Sequence, residues 1–145
     1  MKEPQPTFSA CFGAAFLVWH PTKYAKMLGR LLNEHKSHVW LINTGWSGGA
    51  YGVGKRIKLS YTRAIARAAL AGELDNVKTE TDPVFGLAVP TEIKGVPSKV
   101  LNPRSTWPDP AAYDAQARKL AAMFRENFET FGSAESAIKN AGPKG

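Results

Sequence analysis

The run HVWLIN (His38–Asn43), followed by TGWSGGAYGVG (Thr44–Gly54) and then Lys55 and Arg56, decides how this chain is read. HVWLIN is rich in β-formers and lacks clean alternation, which is the pattern of a strand buried on both faces of an α/β sheet. The glycine-dense run after it reads as a loop. Upstream, Pro21 suits the first turn of a helix, where its missing N–H costs nothing. Tyr24, Met27, Leu28, Leu31 and His35 follow at helical spacing, with Lys23, Lys26 and Arg30 off that stripe, so the spacing predicts an amphipathic helix over 21–35. Downstream, Ser60 is a candidate N-cap, Ala64–Leu70 is alanine-rich helix, and Gly72 stops it. The first half therefore reads helix, strand, glycine loop, helix, and the fold class is α/β.

Further out the signals change. FSACFGAAFLVW (8–19) is apolar and fits either a buried strand or a short helix. The middle, 77–103, carries Pro83, Pro90, Pro97 and Pro103, so short strands or extended chain are expected there and helix is not. The last helix is the clearest element. Asp109 is its N-cap, Pro110 its first residue, Tyr113, Ala117, Leu120, Phe124 and Phe128 one stripe, and Gly132 its end. Residues 1–132 are expected to form the structured part, and 133–145 a loose tail.

The chain has 145 residues, which bounds it at one domain. Its one cysteine excludes an intramolecular disulfide framework and a cysteine-cluster zinc site. No apolar run reaches the roughly 18 residues of a membrane helix, and the first residues hold no signal-peptide pattern. A cytoplasmic protein with no membrane association is the expectation. The net charge is +7 but uneven: residues 1–72 hold 10 Lys+Arg against 2 Asp+Glu, and the rest 9 against 10. Basic character confined to one half points to an anionic partner, a small polyphosphate or a nucleic acid.

Gly49–Lys55 satisfies GxxxxGK, the opening of a phosphate-binding loop, but Arg56 stands where a metal-coordinating hydroxyl is needed, and the next helix begins late. A plain connector, or a loop letting backbone approach another ligand, remain alternatives. Lys55, Arg56, Lys58, Arg63 and Arg67 run into the second helix; they read as a solvated face or as a clamp on an anion near its N-terminus. Trp46 and Tyr51 are aromatics able to stack on a base, whereas Trp40 belongs to the strand and to the core. His20, His35 and His38 lack metal-ligand spacing, Cys11 reads as a buried inert thiol, and Glu80, Asp82 and Glu92 form no acid–base pair. The residues alone yield an anion-binding half-site and no catalytic constellation.

Nine strings then align in order with one family. They are PTFSACFG (6–13), HPTKYA (20–25), NTGW (43–46), YGVGKR (51–56), TRAI (62–65), GELDN (72–76), FGLAVP (85–90), GVPSKVLNPR (95–104) and YDAQA (113–117). In these the chain resembles the C-terminal portion of ATP-dependent phosphoenolpyruvate carboxykinase. The resemblance implies part of an α/β mononucleotide-binding domain, with a mixed sheet and flanking helices. It implies an enzyme that converts oxaloacetate and ATP to phosphoenolpyruvate, ADP and CO2 in gluconeogenesis, with Mg²⁺ and Mn²⁺. Carried over by position, the ATP contacts are Arg56 and Ile57 in GKRI and Thr62 in TRAI, on the base and ribose side. This makes Gly49–Lys55 something other than the family's phosphate loop. The family's phosphate loop, metal ligands and oxaloacetate-binding arginines precede FSACFG and have no counterpart in this sequence. The chain is therefore expected to be a segment that begins partway through a domain, to need the N-terminal remainder of the polypeptide as partner, and to be inactive and poorly soluble alone. Two other readings stand beside this one: a non-catalytic nucleotide-binding module, and a basic nucleic-acid-binding fragment, which the resemblance disfavours.

Overall fold

The computed structural model describes residues 7–10, 13–132 and 136–145. Cys11 and the Pro6 end of PTFSACFG lie outside them. The fold is small and mixed: helices carry most of the order, and among the described residues the sheets are two separate two-stranded antiparallel ones.

Helix α1 is Pro21–His35, as the stripe predicts. The ring nitrogen Nδ1 of His20 accepts from the Thr22 backbone N–H and lies 2.8 Å from its hydroxyl, so this histidine is the N-cap. Lys36 ends the helix in the left-handed region, φ 53°, with the Lys36 and Ser37 N–H groups closing on Leu32 O. A side chain there carries strain that glycine would not. Lys36→Gly is expected to stabilise the protein by about 1 kcal/mol, read as a higher urea midpoint at unchanged slope. The apolar stripe of α1 is not covered: Met27, Leu28 and Leu31 are all exposed.

The strand expected at 38–43 is absent. Those residues have no regular structure, because no strand among the described residues lies beside them to complete a ladder. Trp40 nevertheless packs inward against the core, as expected, while Val39 and Leu41 face outward. The run at 44–54 is mostly loop, as expected, but it is the turn of a hairpin and contributes Trp46–Ser47 as its first strand. Strand β1, Trp46–Ser47, pairs with β2, Lys55–Arg56, in the register Trp46 opposite Arg56 and Ser47 opposite Lys55. Glycines form its turn, where backbones come too close for side chains.

Helix α2 is Leu59–Leu70. Lys58, not Ser60, occupies the N-cap, and no side chain caps the helix. At the other end the Gly72 and Glu73 N–H groups close on Ala69 O and Ala68 O. The middle forms a hairpin of β3, Thr79–Thr81, and β4, Ala88–Pro90. Its turn is held by Asp82, whose Oδ1 accepts from the Val84 and Phe85 N–H groups at 2.9 and 2.7 Å. Helix was not expected near the prolines, yet α3, Ser98–Leu101, and α4, Pro103–Thr106, are single helical turns. Each follows a residue restricted toward extended backbone, and Pro103 starts α4 where its missing N–H is harmless.

Helix α5, Pro110–Phe128, begins at the expected Asp109 cap, whose Oδ1 accepts from Ala111 N–H at 2.8 Å. A 3-10 turn, Glu129–Phe131, carries it to Gly132. Helix α6, Ser136–Asn140, follows; Lys144 N–H donates to Val84 O at 2.8 Å, and Arg125 donates to the Gly145 carbonyl.

One cluster forms the core. Ala68, Leu74, Ile93 and Val96 are buried, with Trp40, Tyr61, Ile65 and Val100 packed against them. Ala117 and Ala121 are buried separately along α5. The Arg104 guanidinium donates to both oxygens of Asp114, at 2.8 and 3.0 Å, joining α4 to α5. That bond from Arg104 holds the Asp114 carboxyl below the usual carboxylate range, against an opposing desolvation. A carboxyl whose folded pKa is depressed contributes stability above its unfolded pKa, and the contribution is lost as pH falls through the folded value. The stability gap between wild type and Asp114→Asn is therefore expected at neutral pH and should close below about pH 4, checked by urea titrations across that range.

Candidate functional site

Arg56 ends the first hairpin, Ile57 follows it, and Thr62 lies in the first turn of α2. Strand β2 places Arg56 opposite Trp46, and both side chains are exposed. Ile57 N–H donates to Gly45 O at 2.9 Å, extending the hairpin by one bond and fixing the chain just before the helix. Thr62 sits in the first turn of α2, its own N–H donating to Lys58 O at 3.2 Å, and is half-buried. Lys55, Lys58 and Arg63 are exposed beside them, whereas Arg67, also exposed, lies in the last turn of α2. With the uncapped N-terminus of α2, whose dipole is positive, the first three make a cationic rim. Lys58 Nζ also lies 5.5 Å from the Tyr61 ring centroid.

The geometry disposes of a phosphate loop at Gly49–Lys55. In such a loop the chain passes from strand through glycines directly into a helix, with the lysine at the helix start. Here the Val53 and Gly54 N–H groups turn back onto Ala50 O, and Lys55 lies in a strand.

Two features of the site escaped the sequence reading. Asn43 organises the turn before β1: its Oδ1 accepts from Gly45 N–H at 2.9 Å and its Nδ2 donates to Trp46 O at 3.2 Å. An asparagine two residues before a glycine is a local turn signal, and it stood in the sequence. The second is the tie between the Ser47 and Thr106 hydroxyls, 3.1 Å apart across 59 positions, which anchors the hairpin to α4. No local pattern announces it. Beneath the hairpin lies a largely apolar cavity of about 550 Å³, lined by Ile57, Trp40, Ile65, Leu101 and Pro103 among others.

A second cavity, about 670 Å³, lies between the second hairpin and α5, with Glu80, Asp82, Arg104, Tyr113, Asp114 and Arg118 on its walls. Burial, then the Asp82 and Asp114 carboxylates, push the Tyr113 hydroxyl above its ordinary pKa, so it stays protonated. Asp82 and Asp114 are already held by the turn and by Arg104. Among the described residues, no group of three or more His, Cys, Asp or Glu side chains converges on a point. These residues offer no donor set for Mg²⁺ or Mn²⁺, and no step involving a metal is derived from them.

A family model for phosphoenolpyruvate carboxykinase matches residues 1–99. The protein called phosphoenolpyruvate carboxykinase (ATP) in Lysinibacillus sphaericus is 56% identical over 142 residues, which is 98% of this chain and 27% of that protein. Its namesake in Caldanaerobacter subterraneus is 55% identical over 145 residues, 100% of this chain and 28% of that protein. The one in Thermus thermophilus is 55% identical over 145 residues, 99% of this chain and 27% of that protein. The chain belongs to the phosphoenolpyruvate carboxykinase family, and it spans about 27% of the length of the curated relatives it matches. No helix among the described residues is long and apolar enough to cross a membrane.

Proposed function

We propose that this chain is the C-terminal portion of an ATP-type phosphoenolpyruvate carboxykinase, forming part of its mononucleotide-binding domain and contacting the base and ribose side of ATP through Arg56, Ile57 and Thr62. Residues 1–132 serve as that part of the domain and 133–145 as its tail. The enzyme works in the cytoplasm, converting oxaloacetate and ATP to phosphoenolpyruvate, ADP and CO2. The metal ions and the phosphate-handling groups come from the rest of the polypeptide, so the purified 145-residue chain forms no phosphoenolpyruvate above a blank. The observation that carries this reading is the Ile57-to-Gly45 bond together with the β1–β2 register. The bond and the register hold Arg56 and Ile57 at the end of the hairpin, and Thr62 follows in the first turn of α2. A guanidinium reaches polar atoms of a nucleotide, an isoleucine offers apolar contact to a base, and a threonine hydroxyl bonds to a ribose or base edge.

The test is a chimera in which this chain replaces the matched segment of the Thermus thermophilus relative. A hydrogen bond from a charged group is worth about 1.5–3 kcal/mol. Arg56→Ala is therefore expected to weaken ATP binding about 10- to 100-fold by calorimetry. Equal affinities in a chimera that binds ATP would overturn the assignment of Arg56.

A further inference from the structure

We infer that Thr106 is a positioning residue for the nucleotide contacts: its hydroxyl holds the first hairpin, and with it Arg56 and Ile57, against α4. The inference rests on the reading given under Proposed function and deepens it. An isolated two-stranded hairpin is marginal in water, and this one has two residue pairs, so its anchor decides where its side chains stand. That anchor is the pair of half-buried hydroxyls on Ser47 and Thr106, 3.1 Å apart. The backbone closes in beside it, for a Cβ on Gly48 would lie 3.1 Å from Thr106 O. Ser47 stands opposite Lys55, the residue next to Arg56.

Proton counting fixes the direction of the bond. The Thr106 hydroxyl has a single proton and lies 2.7 Å from Pro103 O, which can only accept. Ser47 therefore donates to the Thr106 oxygen. Position 106 must supply an acceptor oxygen, which serine preserves and valine removes. Thr106 is in turn held from behind. The Ser105 hydroxyl donates to Asn102 O at 2.8 Å, and the Arg104–Asp114 pair fixes α4 on α5. The placement of Arg56 is thus referred back from the hairpin, through Ser47 and Thr106, to α5.

The experiment compares Thr106→Val, Thr106→Ser and Thr130→Val in the Thermus thermophilus chimera. Thr130 is the control: its hydroxyl makes the same bond three residues back, to Asn127 O at 2.7 Å, in the turn after α5. Losing one neutral hydrogen bond shifts an equilibrium by about 3- to 10-fold. In Thr106→Val the KM for ATP should rise by about that factor with the KM for oxaloacetate unchanged, and the Ile57 amide, bonded to Gly45 O, should exchange faster by about as much. Thr106→Ser should restore both values, and Thr130→Val should leave both at wild type. A merely structural loss would lower the active fraction, and so kcat, without moving KM. Ser47→Ala should match Thr106→Val, and the double variant should be no worse than either. Unchanged Ile57 exchange in Thr106→Val would overturn the inference, as would equal effects in Thr130→Val or additive effects in the double variant. So would a wild-type KM for ATP in Thr106→Val where Arg56→Ala raises it. Faster Ile57 exchange in a chimera whose KM for ATP ignores Arg56→Ala, or that makes no phosphoenolpyruvate, would sink the functional reading and leave the anchor standing.

Discussion

Gly54→Val is expected to dismantle the hairpin that carries Arg56, and to cost the chimera about 100-fold or more of its ATP affinity. A Cβ on Gly54 would lie 2.6 Å from Gly49 O and 3.1 Å from Ser47 O. Both obstacles are backbone, so no side-chain rotation relieves them. The two strands must part, and with them the pairing of Trp46 with Arg56 and the bond from Ile57 N–H to Gly45 O. Arg56 and Ile57 would be lost as contacts together, so the loss should be at least as large as that of Arg56→Ala. Gly52→Ala is the control. Gly52 has φ 84° but open space around it, so that change carries only the left-handed penalty, about 1 kcal/mol, and should leave the affinity near wild type. Similar affinities for the two glycine variants would show that the hairpin does not position the nucleotide contacts.

Leu74→Ala is expected to be the most damaging single change to folding. Ala68, Leu74, Ile93, Val96, Ala117 and Ala121 are the only buried hydrophobic residues among those described, and Leu74 sits in the larger cluster at 5% exposure. Truncating a buried leucine costs about 2–5 kcal/mol through lost burial and the cavity left behind. Whole domains are stable by only about 5–15 kcal/mol, and a core this small belongs at the low end. The variant should therefore be largely unfolded in urea where wild type is folded. Leu70→Ala, four residues earlier and 90% exposed, should shift stability by less than about 0.5 kcal/mol. Equal midpoints for the two leucine variants would mean that the cluster around Leu74 is not what holds the chain together.

What was legible in the sequence was what is decided locally. Helices α1 and α5 have prolines at their first position and a stripe at helical spacing, and α5 has its cap in Asp109. Neither signal depends on distant residues. The strand at 38–43 failed for the opposite reason. HVWLIN has the composition of a strand, but a strand exists only where a neighbour supplies its ladder, and no such neighbour lies within the described residues. The glycine run was read correctly as a loop but not as the turn of a hairpin, whose two short strands depend on the close approach that Gly54 permits. At α2 the alanine-rich body was clear and the start was not, because Lys58 caps without a side-chain bond and leaves no mark in the sequence. The single-turn helices α3 and α4 hide among prolines that argue against longer helices but tolerate one turn.

The candidate site divides the same way. Arg56, Ile57 and Thr62 were legible only through resemblance, whereas the Ser47–Thr106 tie beside them joins residues no pattern connects.

The central claim is that this chain does the work of the corresponding segment of an ATP-type carboxykinase. The most direct test is phosphoenolpyruvate formation from oxaloacetate by the Thermus thermophilus chimera, with ATP or GTP as phosphoryl donor. The account predicts turnover with ATP, little with GTP, and a raised KM for ATP in Arg56→Ala. A folded chimera that is inactive with ATP, or that prefers GTP, would contradict it.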